Sequence, residues 1–421
     1  MIERTPASTE VERKLNDVVR IEGGRILAVL AAATGDLQLA EDAVQDASVA
    51  ALEVWIRTGI PRNPAGWLYV AARRKTIDVV RREASRGRRE LQALPMLDRL
   101  EAPPPPESRI RDDVLRLIFT CCHPALSLEA RVALSLRTLC GLSTADVARA
   151  LLVSEATMAK RLVRTKQKIS KATIPYRIPL DEELPSRLAG VYAVIHLVYT
   201  AGHHAVGEAV VRTDLCEEGI RLARLLVELV PRDPTGEALL ALLLLTDARR
   251  ASRLSPDGAL VPLSEQDRGA WNRDAIDEAV GLLSRSLDRT FGVADPYQLQ
   301  AAIAACHSRA LSYAATDWVE IVRLYGILAE VHPNPVVDLN AAVAVAEVDG
   351  PEVALEHLDR VDDSARSHLW HAGRGEMLLR LDRTVEASAA FALALDAAPT
   401  ESERRHLRGR ILACGGTHGA R

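Results

Sequence analysis

Glu155, Thr157, Lys160, Arg161, Arg164 and Lys168 fall on one side of a single helical stretch. This set binds rather than reacts. Long cations with a hydroxyl and a carboxylate, on a helix anchored from its other side, suit the base edges and phosphates of a DNA major groove. An ordinary packed helical hairpin with a solvated basic face would show the same residues. A second cationic run comprises Arg73, Arg74, Lys75, Arg81, Arg82, Arg86, Arg88 and Arg89, eight basic residues in seventeen. Each phosphate that such a run neutralises adds salt-dependent affinity. Trp67 and Tyr69 stand beside it. Trp67 can stack on an unpaired base or anchor a core. Glu41, Asp42, Gln45 and Asp46 are expected on the outer side of an earlier helix. They can support the helix dipole or dock a basic partner.

Other reactive residue types do not assemble into chemistry. Cys121-Cys122-His123 lacks the spacer of a zinc knuckle, and no second pair follows. Buried thiols are the expectation there, with no metal and no cofactor. Six scattered cysteines in a chain that reads as cytosolic argue against disulfides. His203, His204 and Cys216 form a titratable group without a nucleophile–base pair or a phosphate loop, so no enzymatic activity is expected.

The DNA-facing side chains need a scaffold, and the sequence supplies one. Ser143 can cap a first helix with Asp146 three residues on, and Val147, Ala148 and Leu151 give it an apolar side. Leu152-Val153 is the turn. Ser154 caps a second helix whose Met158, Leu162, Thr165 and Ile169 recur at 4-3-4 spacing. Upstream, Asp36 can cap a helix with Leu39, Ala43, Val44, Ala47, Ala51 and Val54 or Trp55 inward. A Gly/Pro loop, Thr58 to Gly66, leads into the helix Trp67 to Arg82. Leu91 to Ser108 reads as a linker, its Pro103 to Pro106 run excluding helix. Ile110 to Leu139 reads as two helices broken at His123-Pro124.

Across 421 residues, aromatics are only 4%, and no long β-branched alternation appears, so the fold class is all-α. The length calls for two or three domains. No stretch is apolar for long enough to span a bilayer, and the N-terminus lacks a signal-like hydrophobic region. Charge is divided: residues 1–175 hold 28 Lys/Arg against 21 Asp/Glu, and residues 176–421 hold 25 against 36. A basic half joined to an acidic half suggests that one part meets nucleic acid. Residues 184–250 read as long apolar helices, Ser252 to Trp271 as a polar insertion, and the rest as helical hairpins. Gly375, Ala387, Phe391, Ala394 and Pro399 fall at the small, aromatic and Pro positions of a tetratricopeptide unit, with a fainter copy at Ala342, Ala354 and Leu358.

The order of these parts resembles the extracytoplasmic-function sigma factors of bacterial RNA polymerase. AEDAVQDA (Ala40 to Ala47) resembles their polymerase-clamp helix. PAGWLYVAARRKTIDVVRRE (Pro64 to Glu83) resembles the segment that melts and reads the −10 element, and LSTADVARALLVSEATMAKRLVRTKQKI resembles the −35-reading helix-turn-helix. IFTCCHPAL, DLCEEGIRLARLL, LLTDARRASR, QDRGAW, YQLQAAIAACH and LNAAVAVAEVDGP resemble the subgroup with a fused tetratricopeptide-like extension. Ser48 and Tyr199 to His203 depart from that subgroup's usual residues.

The resemblance implies four segments: region 2 over 1–90, a Pro-rich linker over 91–109, region 4 over 110–174 and a helical extension over 175–421. It implies that Glu41, Asp42, Gln45 and Asp46 face core RNA polymerase. Trp67, Arg73, Arg74, Lys75, Arg81 and Arg82 would hold the −10 promoter DNA, and Glu155, Thr157, Lys160, Arg161 and Arg164 the −35 DNA. It implies a cytoplasmic protein with no membrane partner. The charge division adds a possible contact between the acidic extension and the sigma domains. A helix-turn-helix regulator acting without core polymerase is the competing expectation, and it leaves Trp67 to Arg89 unexplained.

Overall fold

A computed structural model describes residues 6–84, 90–102, 107–151, 153–171, 174, 176–180, 182–203, 213–255, 261–361 and 366–416. Arg86, Arg88, Arg89, Pro103 to Pro106, Leu152, His204 and part of the 252–271 insertion therefore lie outside the described residues. Among the described residues the chain forms nineteen α-helices and no strand, as the composition predicts. It divides into two compact units, Met1–Val198 and Tyr199–Arg421.

Unit 1 is built on α1 (Pro6–Thr34), which packs against α2 (Leu37–Thr58), α3 (Pro64–Ala84), α4 (Glu90–Glu101) and α5 (Glu107–Cys121). Asp36 caps α2 as expected, accepting from the backbone N–H groups of Gln38 and Leu39. Gly59, at φ 83°, ends α2 in a conformation that costs glycine little. Ala40, Ala43, Ala47, Ala51 and Trp55 form its buried stripe. Trp67 at the start of α3 is half-buried and meets the Trp55 ring edge-on at 5.6 Å, so part of its surface serves the core. Leu68, Ala72 and Val80 turn α3 inward.

The expected linker contains a helix. Residues Glu90–Glu101 form α4 with Pro95 inside it. Leu91, Leu94, Leu97 and Leu100 recur at helical spacing, and Leu100 is buried. With Leu94 exposed, it is the packing of α4 on α3 and α1, with Leu100 buried, that offsets the one backbone hydrogen bond that proline removes.

α5 and α6 (Leu128–Thr138) flank the His123-Pro124 break, with Ser127 capping α6. Then come α7 (Thr144–Ala150), α8 (Glu155–Lys171) and α9 (Leu184–His203), which runs through the division between units. The segment after α8 is tied into unit 1. The Tyr176 hydroxyl lies 3.1 Å from the Ala28 carbonyl and 3.2 Å from the Asp113 carbonyl, bridging α1 and α5. Arg187 of α9 donates to the Phe119 carbonyl at 2.7 Å and lies over its ring.

Unit 2 continues with α10 (Thr213–Leu229), α11 (Pro234–Asp247), α12 (Arg273–Asp288), α13 (Pro296–Arg309), α14 (Trp318–Val331), α15 (Pro335–Val348), α16 (Pro351–Asp359), α17 (His368–Arg380), α18 (Thr384–Ala397) and α19 (Glu401–Gly416). Four of them begin with Pro at the first turn, and Asp233, Asp295 and Asn334 cap three of those. Proline loses nothing at that position and fixes the helix start. Between α11 and α12 the described residues form two single-turn 3-10 helices, Arg250–Ser252 and Arg268–Ala270, and no α-helix. Gly375 of α17 packs on the Phe391 ring of α18, where a Cβ would stand 2.8 Å from ring carbons. Ala387 and Ala394 are buried beside it.

Candidate nucleic-acid and polymerase interface

The helix-turn-helix forms as its caps and stripe dictate. The Asp146 backbone N–H donates to Ser143 Oγ at 3.1 Å, and the Ser143 hydroxyl donates to the Asp146 carboxylate at 2.6 Å. Ser154 likewise accepts from the Thr157 backbone at 3.2 Å. Met158, Leu162 and Thr165 are buried and Ile169 is half-buried, so the 4-3-4 stripe is the inward face of α8. Glu155, Thr157, Lys160, Arg164 and Lys168 are exposed, and Arg161 is half-buried at the margin. This face can present four cations to a phosphate backbone. The Thr157 hydroxyl shares a hydrogen bond with Ser154 at 2.8 Å, so its position is fixed by the cap.

The cations of α3 are less uniform. Arg74 is exposed and has no partner among the described residues. Arg81 pairs with Glu101 at 2.7 Å and Lys75 with Asp46 at 4.0 Å, both on the surface, where such pairs are weak and exchangeable. Arg82 Nε donates to the Asp78 carbonyl at 3.1 Å. Arg73, expected with the DNA-holding group, is engaged elsewhere. Its Nε donates to the Leu100 carbonyl and its Nη2 to the Ala102 carbonyl at 3.1 Å, which satisfies the end of α4.

The acidic helix carries the largest departure. Asp42, Gln45 and Asp46 are exposed on α2, but Glu41, expected beside them on the outer side, is buried. Its Oε1 lies 2.9 Å from Arg137 Nε of α6, and its Oε2 lies 2.6 Å from Lys166 Nζ of α8, off the line of a hydrogen bond. A buried carboxylate persists only when paired, and here two cations pair it. Arg137 also donates to the Leu142 carbonyl at 2.9 Å, which ties the bridge to the loop before α7. Partial burial pushes the Asp42 carboxyl up, against a hydrogen bond from Gln38 and the nearby Lys166. Gln45, Ser48, Gly141 and Glu155 line one groove of about 630 Å³ with Leu15 and Val19 of α1. Gly141 sits at φ 65°, and a Cβ there would stand 2.8 Å from the Val19 carbonyl.

Arg137 and Lys166 were not singled out by the sequence. Lys166 lies on the flank between the stripe and the outer face of α8, where spacing does not choose between solvent and a partner.

The cysteines are structural. Cys121 and Cys122 are buried, with Cys121 Sγ 3.1 Å from Thr138 Oγ1 and Cys122 Sγ 3.7 Å from Ser135 Oγ. Burial pushes the Cys121 thiol well up and the Cys122 thiol up to about 11, so neither is a reactive thiolate near neutrality. Among the described residues, no helix is long and apolar enough to cross a membrane.

Comparison with known proteins agrees with this geometry. Sigma-70 region 2 matches residues 18–86, which span most of α1 together with α2 and α3. Sigma-70, region 4 matches residues 116–169, which include α6, α7 and most of α8. Residues 187–287, from α9 to α12, match a family of unknown function, DUF6596. An uncharacterized protein of Rhizobium meliloti (strain 1021) is 42% identical over 385 residues, which cover 89% of each chain. With regions 2 and 4 in this order within one unit, the chain belongs to the sigma-70 family of transcription initiation factors, and it shares a family with the Rhizobium meliloti protein along most of its length.

Proposed function

We propose that the protein is a sigma factor of the extracytoplasmic-function group that binds core RNA polymerase and directs promoter-specific initiation. The observation that carries this reading is the pairing of region 2 and region 4 in one unit, with the cationic face of α8 open. Asp42, Gln45 and Asp46 of α2 meet the polymerase clamp, joined by Glu41 when its bridge to Arg137 and Lys166 opens. Arg74, Lys75, Arg81 and Arg82 hold the backbone around −10, with Trp67 beside the melted strand. Arg73 joins them if it leaves the end of α4. Glu155, Thr157, Lys160, Arg161 and Arg164 read the −35 element. Phosphate contacts set most of the affinity, and the few base contacts set promoter choice.

In this reading, residues 1–90 act as region 2, 91–109 as the connection, 110–174 as region 4, and 175–421 as a regulatory extension of tetratricopeptide-like hairpins. The Gly375–Phe391 contact and the buried Ala387 and Ala394 support the hairpin reading. The charge division supports a gating contact between the acidic extension and the sigma domains.

The test is run-off transcription by the full chain with core polymerase on a genomic fragment library, together with co-elution of the two in gel filtration. Discrete promoter-dependent products and a stable complex are expected. Binding to duplex DNA with no polymerase complex and no transcript would overturn the proposal in favour of a helix-turn-helix regulator that acts alone.

A further inference from the structure

Unit 2 holds a cavity of about 970 Å³ that the sigma-factor reading does not use. Its walls follow from helical periodicity. Asn340, Val343 and Glu347 of α15 and Gly373, Glu376 and Arg380 of α17 recur at i, i+3 and i+7, so each helix turns one face to the cavity. Trp318 and Tyr325 of α14 line it at the same spacing. Trp318 packs on Tyr313 at 5.0 Å and on His307 at 5.2 Å, which makes this wall aromatic.

A turn from the segment before α12 completes the lining. Pro262 to Glu265 are closed by the Glu265 backbone N–H, which donates to the Pro262 carbonyl at 2.9 Å. Three residues on, Arg268 donates to the carbonyls of His307 and Ala310 at 2.6 and 2.9 Å and to Thr316 Oγ1 at 3.2 Å. Those groups belong to the end of α13 and the connection to α14. The turn is therefore anchored beside the chain that carries Tyr313 and Trp318.

The charges on the lining cancel except for one. Glu347 pairs with Arg380 at 2.7 Å and Glu376 with Arg410 at 2.5 Å. Arg405 is exposed one turn after Glu401 of the same helix and helps to hold that carboxyl down, behind the closer Arg408. Burial, with Arg249 and Arg268 beside it, pushes His307 down to about 4. Burial and Arg410 push His406 down as well, so neither histidine adds charge near neutrality. Glu265 is exposed, and it makes no ion pair with the described residues. Each arginine on the lining thus has its acid, and the carboxylate of Glu265 is left over.

We propose that this cavity binds a small organic amine, with its ammonium against Glu265 and its aromatic body on Trp318 and Tyr325. A volume of this size suits a small molecule, and an aromatic wall with few polar groups is the usual make-up of such sites. A cation beside aromatic faces gains from their quadrupoles as well as from the carboxylate. The fields of Arg249 and Arg268 act on His307, which keeps the ligand's charge at the turn and its neutral part on the rings. This inference goes beyond the sigma-factor reading and does not rest on it.

The test titrates the full-length chain with phenethylamine, phenethyl alcohol and hydrocinnamate near neutral pH and at matched ionic strength, by calorimetry and thermal denaturation. Phenethylamine should bind saturably and raise Tm, about fivefold more tightly than the alcohol, and hydrocinnamate should not bind. Glu265→Gln should weaken the amine about fivefold, the upper end for an ion pair open to solvent, and leave the alcohol unchanged. Gly409 of α19 also lines the cavity, and a Cβ there meets nothing within 4 Å. Gly409→Leu should therefore obstruct binding without lowering the Tm of the free protein, because leucine is the better helix former. No saturable response to phenethylamine would overturn the proposal, as would equal or tighter binding of either analogue. A Glu265→Gln protein that binds the amine like the parent would overturn it too, as would undiminished binding in a folded Gly409→Leu protein. If Gly409→Leu does not fold, Glu265→Gln decides alone.

Discussion

Lys166→Met removes one of the two cations that hold Glu41 and leaves Glu41 itself intact. At 2.6 and 2.9 Å, each pair attracts by roughly 6 kcal/mol in a medium of effective dielectric about 20. Desolvation of three charges offsets most of that, and an ion pair of this kind, without hydrogen-bond geometry, nets about 1–3 kcal/mol, between an exposed pair and a buried charge stripped of its partner. Arg137 remains on Glu41 in the variant, so the expected loss is about 2 kcal/mol, near the middle of that range. For a unit of this size the loss lowers Tm by about 4–8 °C. The same loss shifts the balance between the closed and open arrangements of α2 and α8 about 30-fold.

If the open arrangement is the one that binds core polymerase, Lys166→Met binds it more tightly, by up to about 30-fold. Fluorescence anisotropy of a labelled full chain titrated with core polymerase measures this, and the melting curve checks that the bridge was lost. Arg137→Met should move both readouts in the same direction. Glu41→Gln should lower stability too, because it leaves two cations facing each other, but without the polymerase gain. A Lys166→Met protein that melts lower yet binds polymerase no more tightly would refute the reasoning, since the bridge would then not stand in the way. An unchanged Tm would show that the bridge contributes nothing.

Three further outcomes are expected. Arg164→Gln removes one exposed cation of the proposed DNA-facing set, so the slope of log affinity against log salt for promoter fragments should fall by about 1, measured by filter binding over a salt series. Gly141→Ala forces a side chain into a φ of 65° and against the Val19 carbonyl, and urea unfolding should show a loss of about 1–3 kcal/mol. Burial and the fields of Arg249 and Arg268 push His307 down to about 4, below its ordinary value near 6.5. The unfolded chain therefore binds more protons between those values. Stability should fall by up to about 3 kcal/mol as pH drops from about 6.5 to about 4, and His307→Phe should flatten that part of the profile.

Local physics made much of unit 1 readable. The serines that cap α7 and α8 and the 4-3-4 stripe of α8 needed only near neighbours in sequence, and the structure places them as the spacing predicts. Asp36 and the alanine stripe of α2 are of the same kind. Reading fails where a side chain's partner lies far along the chain. Glu41 has the same local setting as Asp42, and nothing within α2 marks it for burial by Arg137 and Lys166. Arg73 sits in a basic run, yet the free carbonyls at the end of α4 claim it. Those carbonyls exist because α4 forms where the prolines of the segment pointed to a linker. Arg249 shows in the sequence only as one of several arginines, and the burial of its Nε without an acceptor is a tertiary fact.

Under the proposed function, the placement of the Glu41 bridge also bears on which activity it would control. Lys166 and Arg137 approach α2 from the inner flank of region 4, and the exposed set Lys160, Arg164 and Lys168 lies outside that contact. Closing the bridge therefore buries a carboxylate assigned to polymerase binding while the cationic face of α8 stays open. In the proposed reading, control by closure would fall on polymerase engagement, since the face of α8 proposed for duplex DNA is exposed with the bridge closed. The two activities should then separate in one variant. Lys166→Met should change core polymerase affinity while leaving the affinity of the free protein for a −35 duplex within about threefold, the effect of a single peripheral phosphate contact at moderate salt. A variant that changed both equally would place the bridge on the DNA-reading path instead.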